Sequence, residues 1–191
     1  MSRPLDWKNV ALRPIEARDL DKLNAWQNDP ETRDLIMGFR GPVRLESTED
    51  WVRNMTDQNL KTRAIFAIRV GGEIAGIAQL QMIDWVLRTA MLGVYVGDRE
   101  RRGGGIGEIA VSLILDYGFR ALDLHRIGLE VLSSNERAKG LYERLGFVRE
   151  GAMRQAYQRG GRREDVEFWG LLRDEWTFDP PPMAQRLTWA D

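Results

Sequence analysis

The most informative stretch of the chain is residues 94–119, which read VYVGDRERRGGGIGEIAVSLILDYGF. A strand pattern leads into a basic, glycine-rich turn, and the turn leads directly into an amphipathic helix. The start of a helix exposes backbone N–H groups and the positive end of the helix dipole, so we expect this turn to bind an anion, with a pyrophosphate as the occupant. Glycines leave the approach open, and two arginines add positive charge. The predicted ligands are Arg101, Arg102, Gly103, Gly104, Gly105, Ile106 and Gly107.

Two known phosphate motifs with glycine-rich turns can be compared directly with this segment. The P-loop requires a lysine followed by serine or threonine after its last glycine, whereas Glu108 and Ile109 follow Gly107. The dinucleotide fingerprint G-x-G-x-x-G would require a third glycine where Glu108 stands. Both motifs are therefore excluded, and a flexible loop that binds nothing is the remaining alternative. The pattern that is left is Arg102-x-x-Gly105-x-Gly107.

The composition excludes several classes of site. The chain has 191 residues, of which 43% are hydrophobic and 30% are charged, as is typical of one soluble globular domain. It contains no cysteine, which excludes disulfides and thiolate metal sites, and its single histidine, His125, cannot form a zinc site alone. The formal net charge of −1 gives no drive toward nucleic acid or an anionic membrane. Since we find no membrane-spanning run and no signal-peptide pattern, we expect a cytoplasmic protein that needs no metal.

Strand and helix patterns alternate along the rest of the chain. Strand patterns occupy residues 10–13, 63–70, 73–85, 89–96, 125–132, 147–158 and 163–172. Helix patterns follow residue 19, run over residues 30–35, 47–57 and 134–145, and follow the glycine-rich turn. This order predicts an α/β fold, in which a mixed and mostly antiparallel central sheet is flanked by helices. We expect a single domain over residues 1–176 and a loosely held C-terminal tail over residues 177–191.

A second pattern lies downstream in residues 135–147, which read NERAKGLYERLGF. Asn135 and Tyr142 are seven residues apart, which is two helical turns, so they lie on one face of one helix. Such a face can present an amide and a phenol to the same ligand. Alternatively, Asn135 is only a helix N-cap. Tyr142 is alternatively a core aromatic residue whose hydroxyl lies at the edge of the core.

The two patterns together resemble the N-acetyltransferase family known as GNAT. The turn is similar to its acetyl-CoA signature, (Gln/Arg)-x-x-Gly-x-(Gly/Ala), and the second pattern is similar to its motif N-x-x-A-x-x-x-Y-x-x-x-G-F. The resemblance covers about residues 10–176 and implies the GNAT acyl-CoA N-acyltransferase fold, in which two strands splay apart around the pantetheine arm of acetyl-CoA. It further implies that Asn135 contacts this arm and that Tyr142 protonates the departing CoA thiolate.

The implied reaction transfers an acetyl group from acetyl-CoA to a primary amine by direct attack in a ternary complex. A backbone N–H near Val94, Tyr95 and Val96, on the splayed strand, is expected to polarise the thioester carbonyl. The amine must lose a proton before it attacks, so a general base is expected. Several relatives place a glutamate on this strand, but counting back from Arg102 reaches Leu92, which cannot take a proton.

Three carboxylates remain as substitutes for the missing base, and each would act through water. They are Asp84, Glu108 and Glu130, and we prefer Asp84 because it lies at the end of a central strand. Each of the three has an alternative role as a surface or capping carboxylate. Because the family glutamate is absent, a CoA-binding module without turnover is a second class of function, although the intact Tyr142 favours an enzyme.

The acceptor is less constrained by the sequence than the donor. Residues 12–30 and the run LDYGF at 115–119 resemble the branch of ribosomal-protein alanine and spermidine N-acetyltransferases, which implies a polyamine-like small amine or a protein N-terminus as acceptor and a possible homodimer. Carboxylates that could bind a polyamine are Glu31, Asp34, Glu46, Glu49 and Asp50. Arginines that could orient an anionic amino sugar are Arg149, Arg154, Arg159, Arg162 and Arg163. Aromatic residues that could line an acceptor pocket are Trp26, Phe39, Trp51 and Trp85.

Overall fold

A seven-stranded sheet with helices on both faces forms the protein, and the computed structural model describes residues 6–37, 41–56, 62–159 and 161–179 of it. The strands are β1 (Val10–Arg13), β2 (Arg63–Val70), β3 (Glu73–Asp84), β4 (Thr89–Val96), β5 (Arg126–Leu132), β6 (Val148–Arg159) and β7 (Arg162–Leu172). The helices are α1 (Leu20–Asn28), α2 (Pro30–Leu35), α3 (Leu45–Thr56), α4 (Ile106–Asp116) and α5 (Glu136–Arg144). A π-helical turn, Tyr117–Ala121, continues α4.

The sheet is antiparallel except at one position near its centre. Its strand order is β1-β2-β3-β4-β5-β7-β6, and only β4 and β5 run parallel. These two strands pair over a short stretch, from Thr89 opposite Arg126 to Met91 opposite Gly128, and are unpaired beyond it. The ends of β4 and β5 therefore leave a gap in the sheet, and the predicted mixed, mostly antiparallel α/β fold is confirmed.

The two faces of the sheet carry different helices. Side chains of α4 and α5, such as Ile114 and Tyr142, share one core with Leu92 of β4 and Leu129 of β5. On the other face, Leu23 of α1 packs in a smaller cluster with buried residues of β2 and β3. Because side chains alternate along a strand, every second residue of β4 and β5 faces away from α4 and α5.

The chain after β7 packs back onto the sheet. Trp176 and Phe178 lie against the larger core, and the Phe178 ring stacks on Trp7 with 5.5 Å between the ring centroids. Asp179 pairs with Arg120 at 2.8 Å. The first residues of the expected tail thus make ordered contacts, while its remainder from residue 180 lies outside the described residues. The division of the chain at residue 176 stays a prediction.

Gly76 of β3 is expected to be essential for stability because the backbone of β4 crosses it closely. A Cβ atom there would lie 2.1 Å from the Tyr95 carbonyl oxygen and 2.9 Å from the Val96 Cα, neither of which is a flexible side chain. We expect Gly76→Ala to lower the free energy of unfolding by about 3 kcal/mol in urea titrations. Gly151→Ala is the matched control, since no atom lies within 4 Å of its Cβ position. Equal urea midpoints of unfolding for the two variants would contradict the close packing of Gly76 against β4.

Candidate active site

Unpaired backbone N–H groups line the turn before α4. Gly103 and Gly105 adopt φ values of +95° and +81°, which favour glycine, and Gly105 is the N-cap of α4 without a capping side chain. The first helical bond runs from the Ile109 N–H to the Gly105 oxygen at 3.0 Å. Within the described part of the chain, no group accepts a hydrogen bond from the N–H groups of residues 103–108. This row of donors, at the positive end of a helix dipole, is suited to an anion.

Arg102 points away from these donors. Its Nε donates to the Val96 oxygen at 2.9 Å, and one terminal nitrogen pairs with the Glu31 carboxylate at 2.6 Å. The other terminal nitrogen donates to the Thr32 hydroxyl at 3.1 Å, and the side chain is only 14% exposed. Arg102 thus ties the turn to β4 and α2, and the predicted phosphate contact of this side chain stays a prediction.

Arg101 has a similar anchoring role. Its guanidinium donates to the Val70 oxygen at 2.9 Å, at the end of β2, and pairs with Asp98 at 3.0 Å. These contacts hold the turn against the β2–β3 hairpin. The prediction that Arg101 supplies charge to the anion stays a prediction.

Arg137 supplies a positive charge at the turn that the sequence analysis missed. A Cβ atom on Gly103 would lie 3.9 Å from its terminal nitrogen, and one on Gly107 would lie 3.8 Å from Leu141. The first half of α5 therefore runs beside the start of α4. Among the described residues, Arg137 has no hydrogen-bond or ion-pair partner. Its position two residues after Asn135, in the first turn of the same helix, was the available signal.

Asn135 and Tyr142 occupy α5 as the sequence predicts, and their local roles are now defined. The Asn135 side-chain oxygen accepts from the Ala138 N–H at 3.2 Å, so Asn135 is the N-cap, and its NH2 group has no partner within the described ranges. The Tyr142 ring meets Phe147 edge-on at 5.6 Å and is 7% exposed. Burial raises the pKa of the Tyr142 hydroxyl to about 12, so this phenol stays protonated at neutral pH.

The gap between β4 and β5 presents backbone groups of β4. The Val96 oxygen accepts from Arg102 and therefore points away from β3. Because N–H and C=O groups alternate in direction along a strand, the Val94 N–H points toward the same side, where β5 no longer pairs with β4. The Tyr95 side chain lies on the α1 face, 6.2 Å edge-on from Trp26, and burial raises its pKa.

The position of Asp84 does not support our preference for it as the base. Its carboxylate accepts from the Val86 and Leu87 N–H groups at 2.9 and 2.8 Å and so closes the turn between β3 and β4. Asp84 lies opposite Thr89, and Val96 is seven residues farther along β4, or about 23 Å. Asp84 thus lies at the paired end of the strands, whereas the gap opens at the other end.

The remaining carboxylates differ in whether they reach the gap. Leu92, at the family position, is 6% exposed in the core, and Glu108 pairs with Arg144 at 3.1 Å. Glu130 lies on β5 two residues beyond the last β4–β5 pair, is exposed, and has no partner among the described residues. Its neighbours Leu129 and Val131 face the α4–α5 core, so Glu130 faces the opposite side. It is the substitute base that the fold brings to the gap.

Two of the aromatic residues predicted for an acceptor pocket, Trp26 and Trp51, pack in the same cluster, and Trp85 lies elsewhere. Trp26 lies over Gly97, and Trp51 packs in the cluster on the α1 face. Trp85 lies in the β3–β4 turn at the far end of β4, and Phe39 is outside the described residues. No helix in the described part of the chain is long and apolar enough to span a membrane, and no three acidic or histidine side chains there are grouped as metal ligands.

A helix start with free N–H groups, beside a gap between two parallel strands, is suited to bind a phosphorylated ligand. Residues 9–148 match the family model described as acetyltransferase (GNAT) domain. The chain therefore belongs to the GNAT family and is an N-acetyltransferase by class, which confirms the predicted family and enzyme class.

Known relatives cover most of the chain. The "Putative ribosomal N-acetyltransferase YdaF" of Bacillus subtilis (strain 168) is 26% identical over 180 residues, covering 88% of this chain and 94% of that protein. The spermidine N(1)-acetyltransferase of Escherichia coli (strain K12) is 30% identical over 181 residues, or 94% of each chain. A crystal structure of spermidine N-acetyltransferase from Vibrio cholerae in complex with CoA and spermine superposes with a TM-score of 0.81 at 25% identity, covering 88% of this chain and 98% of that one.

Proposed function

We propose that the protein transfers the acetyl group of acetyl-CoA to a primary amine by direct attack in a ternary complex. The observation that carries this proposal is the row of free N–H groups at residues 103–108, next to the gap between β4 and β5 and beside Tyr142 on α5. The solved relative from Vibrio cholerae, whose fold this chain shares, was determined with CoA.

Each part of acetyl-CoA has a matching group on the chain. The pyrophosphate accepts hydrogen bonds from the N–H groups of residues 103–108, and Arg137 adds a positive charge beside Gly103. The pantetheine arm lies in the gap, where the free NH2 group of Asn135 donates to one of its amides. The Val94 N–H, directed into the gap, polarises the thioester carbonyl.

The proton balance assigns one role to each of two side chains. Glu130 accepts a proton from the incoming amine through water, and the amine nitrogen forms a bond to the thioester carbon. The carbon–sulfur bond then breaks, and Tyr142 gives its phenolic proton to the leaving sulfur. The cationic nitrogen of the intermediate gives its extra proton to the tyrosinate through water, and Glu130 passes its own proton to solvent, so the products are the acetylated amine and free CoA thiol.

The acceptor is a small amine or a protein N-terminus, with an amino sugar as the alternative. The names of the relatives support an amine acceptor, since they include ribosomal and spermidine acetyltransferases. A catalytically weak acyl-CoA-binding module is the second candidate function, because Leu92 occupies the family position of the base. Glu130 at the gap favours the enzyme. The cytoplasmic location and the homodimer stay predictions.

A thiol-release assay tests the proposal. Acetyl-CoA is incubated with polyamines, amino acids, amino sugars and N-terminal peptides, and free CoA thiol is measured against hydrolysis without amine. We expect release above this background with at least one class of amine. Release with none of them, while calorimetry still detects acetyl-CoA binding, would support the binding module.

Arg137 is expected to contribute to donor affinity. Arg137→Ala removes an unpaired charge beside Gly103 and should weaken acetyl-CoA binding about tenfold, or about 1.4 kcal/mol, in calorimetric titrations. Arg162→Ala makes the same charge change at the start of β7 and is the control, with affinity expected to stay within about twofold. If the two variants bound acetyl-CoA with equal affinity, Arg137 would not contribute to acetyl-CoA binding.

A further inference from the structure

We infer that Met91 limits the length of the acyl group that this site transfers, so that short-chain acyl-CoA donors are accepted and longer ones are not. The inference rests on the proposed function, because it concerns the donor in the gap between β4 and β5. It follows from where this gap closes and from the end at which the donor enters it.

The gap between β4 and β5 is closed at one end. The two strands pair as far as Met91 opposite Gly128 and are unpaired beyond this position. Paired strands lie only about 4.8 Å apart, which leaves no room for a ligand between their backbones. The pair of Met91 and Gly128 therefore forms the closed end of the gap.

The donor enters at the other end of the gap. Arg102, in the turn before α4, donates to the Val96 oxygen at 2.9 Å, so the proposed pyrophosphate site lies beside the last residue of β4. The pantetheine arm runs from there into the gap, and the acyl group is the last part of the donor. With the carbonyl on the Val94 N–H, the acyl chain points away from the sulfur and toward Met91, which lies three residues before Val94, or about 10 Å away.

Met91 fills the closed end on the sheet face opposite α4 and α5. Leu92 and Leu129 are buried in the α4–α5 core, so their neighbours Met91 and Gly128 face the other side. A Cβ atom on Gly128 would lie 3.0 Å from the Met91 Sδ and 3.8 Å from its Cε. The Met91 thioether thus lies over Gly128, and an acyl chain that extends to this point meets it.

The length of the acyl chain decides whether it reaches Met91. An acetyl group extends about 1.5 Å beyond the carbonyl carbon, whereas the five bonds of a hexanoyl group extend about 6 Å. Carbon atoms are in contact at about 4 Å, so a hexanoyl group reaches Met91 and a propionyl group ends well short of it. The transfer is otherwise that of acetyl-CoA. The amine nitrogen bonds to the carbonyl carbon, the carbon–sulfur bond breaks, and one proton of the amine ends on the sulfur, which gives the N-acylated amine and the CoA thiol.

A series of acyl-CoA donors of increasing length tests the inference in the wild-type protein. With the amine that is most active on acetyl-CoA, thiol release gives kcat/KM for acetyl-, propionyl-, butyryl- and hexanoyl-CoA. We expect propionyl-CoA to lie within about fivefold of acetyl-CoA and hexanoyl-CoA to lie at least about tenfold below it. Equal use of hexanoyl-CoA, or a loss of about tenfold already at propionyl-CoA, overturns the inference alone. No thiol release with any donor and any amine overturns the proposed function and the inference together.

Met91→Ala shortens the side chain at the closed end, and we expect the ratio of kcat/KM for hexanoyl-CoA to that for acetyl-CoA to rise at least about tenfold. Met153→Ala makes the same change on β6, where Met153 is 45% exposed and pairs with Val166, and should leave this ratio unchanged. Gly128→Ala adds a methyl group against the Met91 sulfur and should lower the ratio at least about fivefold. If neither Met91→Ala nor Gly128→Ala changes the ratio, the acyl chain does not meet Met91 and the inference is wrong. Should one of these two variants fail to fold, the other decides alone.

Discussion

Replacing Tyr142 with phenylalanine is expected to lower kcat by about 10²- to 10³-fold, because the leaving thiolate loses its proton donor. The KM for acetyl-CoA should change little, since the ring remains packed on Phe147 and only the hydroxyl is removed. The measurement is steady-state thiol release with saturating amine. Tyr117→Phe is the control, because Tyr117 is also buried and packs on Phe66, but it lies after α4. A fall in kcat of the same size in both variants would contradict the role of Tyr142.

The pH dependence of kcat gives a second readout of Tyr142. The phenol acts in its protonated form. Because burial raises its pKa to about 12, the pH range in which Tyr142 can donate its proton extends to higher pH. We therefore expect no decline of kcat from this group below about pH 11. An alkaline decline near pH 9 that disappears in Tyr142→Phe would mean that this hydroxyl ionises well below the expected range.

Replacing Glu130 with glutamine is expected to lower kcat/KM about 100-fold for an amine that is protonated at neutral pH. The loss should be much smaller for a weakly basic amine, which is already neutral and needs no base. If Glu130 had only a structural role in the sheet, its replacement would affect both amines equally. A larger loss with the strongly basic amine therefore indicates a general base. Kinetics with a matched pair of strongly and weakly basic amines provide the measurement.

The control for Glu130 is Asp84→Asn. The asparagine keeps a side-chain oxygen for the Val86 and Leu87 N–H groups, so the β3–β4 turn is retained. We expect kcat/KM of this variant to stay within about twofold of wild type. A large loss in Asp84→Asn together with full activity of Glu130→Gln would reverse the assignment.

The sequence located the turn and α5 but not the direction of every side chain. The pattern Arg102-x-x-Gly105-x-Gly107 places a glycine at position 105, where φ is +81°. It gives no sign that Arg102 turns back to Val96 and Glu31, because those contacts join residues that are 6 and 71 positions apart. Arg137 was missed for a similar reason, since its place beside Gly103 depends on how α5 lies against α4.

The choice among carboxylates needed the topology of the sheet. Both Asp84 and Glu130 lie on central strands, so the sequence gives them similar status. The end of the strands at which the gap lies is known only from the short β4–β5 pairing, which ends at Met91 and Gly128. That limit places Glu130 at the gap and Asp84 at the closed end, and Leu92, reached by counting back from Arg102, lies in the core.

A crystal structure with acetyl-CoA would show directly whether the turn before α4 binds the pyrophosphate. We predict that the pyrophosphate oxygens lie at hydrogen-bond distance, about 2.7–3.2 Å, from N–H groups of residues 103–108. The thioester should lie in the gap between β4 and β5, with its sulfur next to the Tyr142 hydroxyl and its carbonyl on the β4 backbone. A pyrophosphate bound away from this turn, or a sulfur out of reach of Tyr142, would contradict the account.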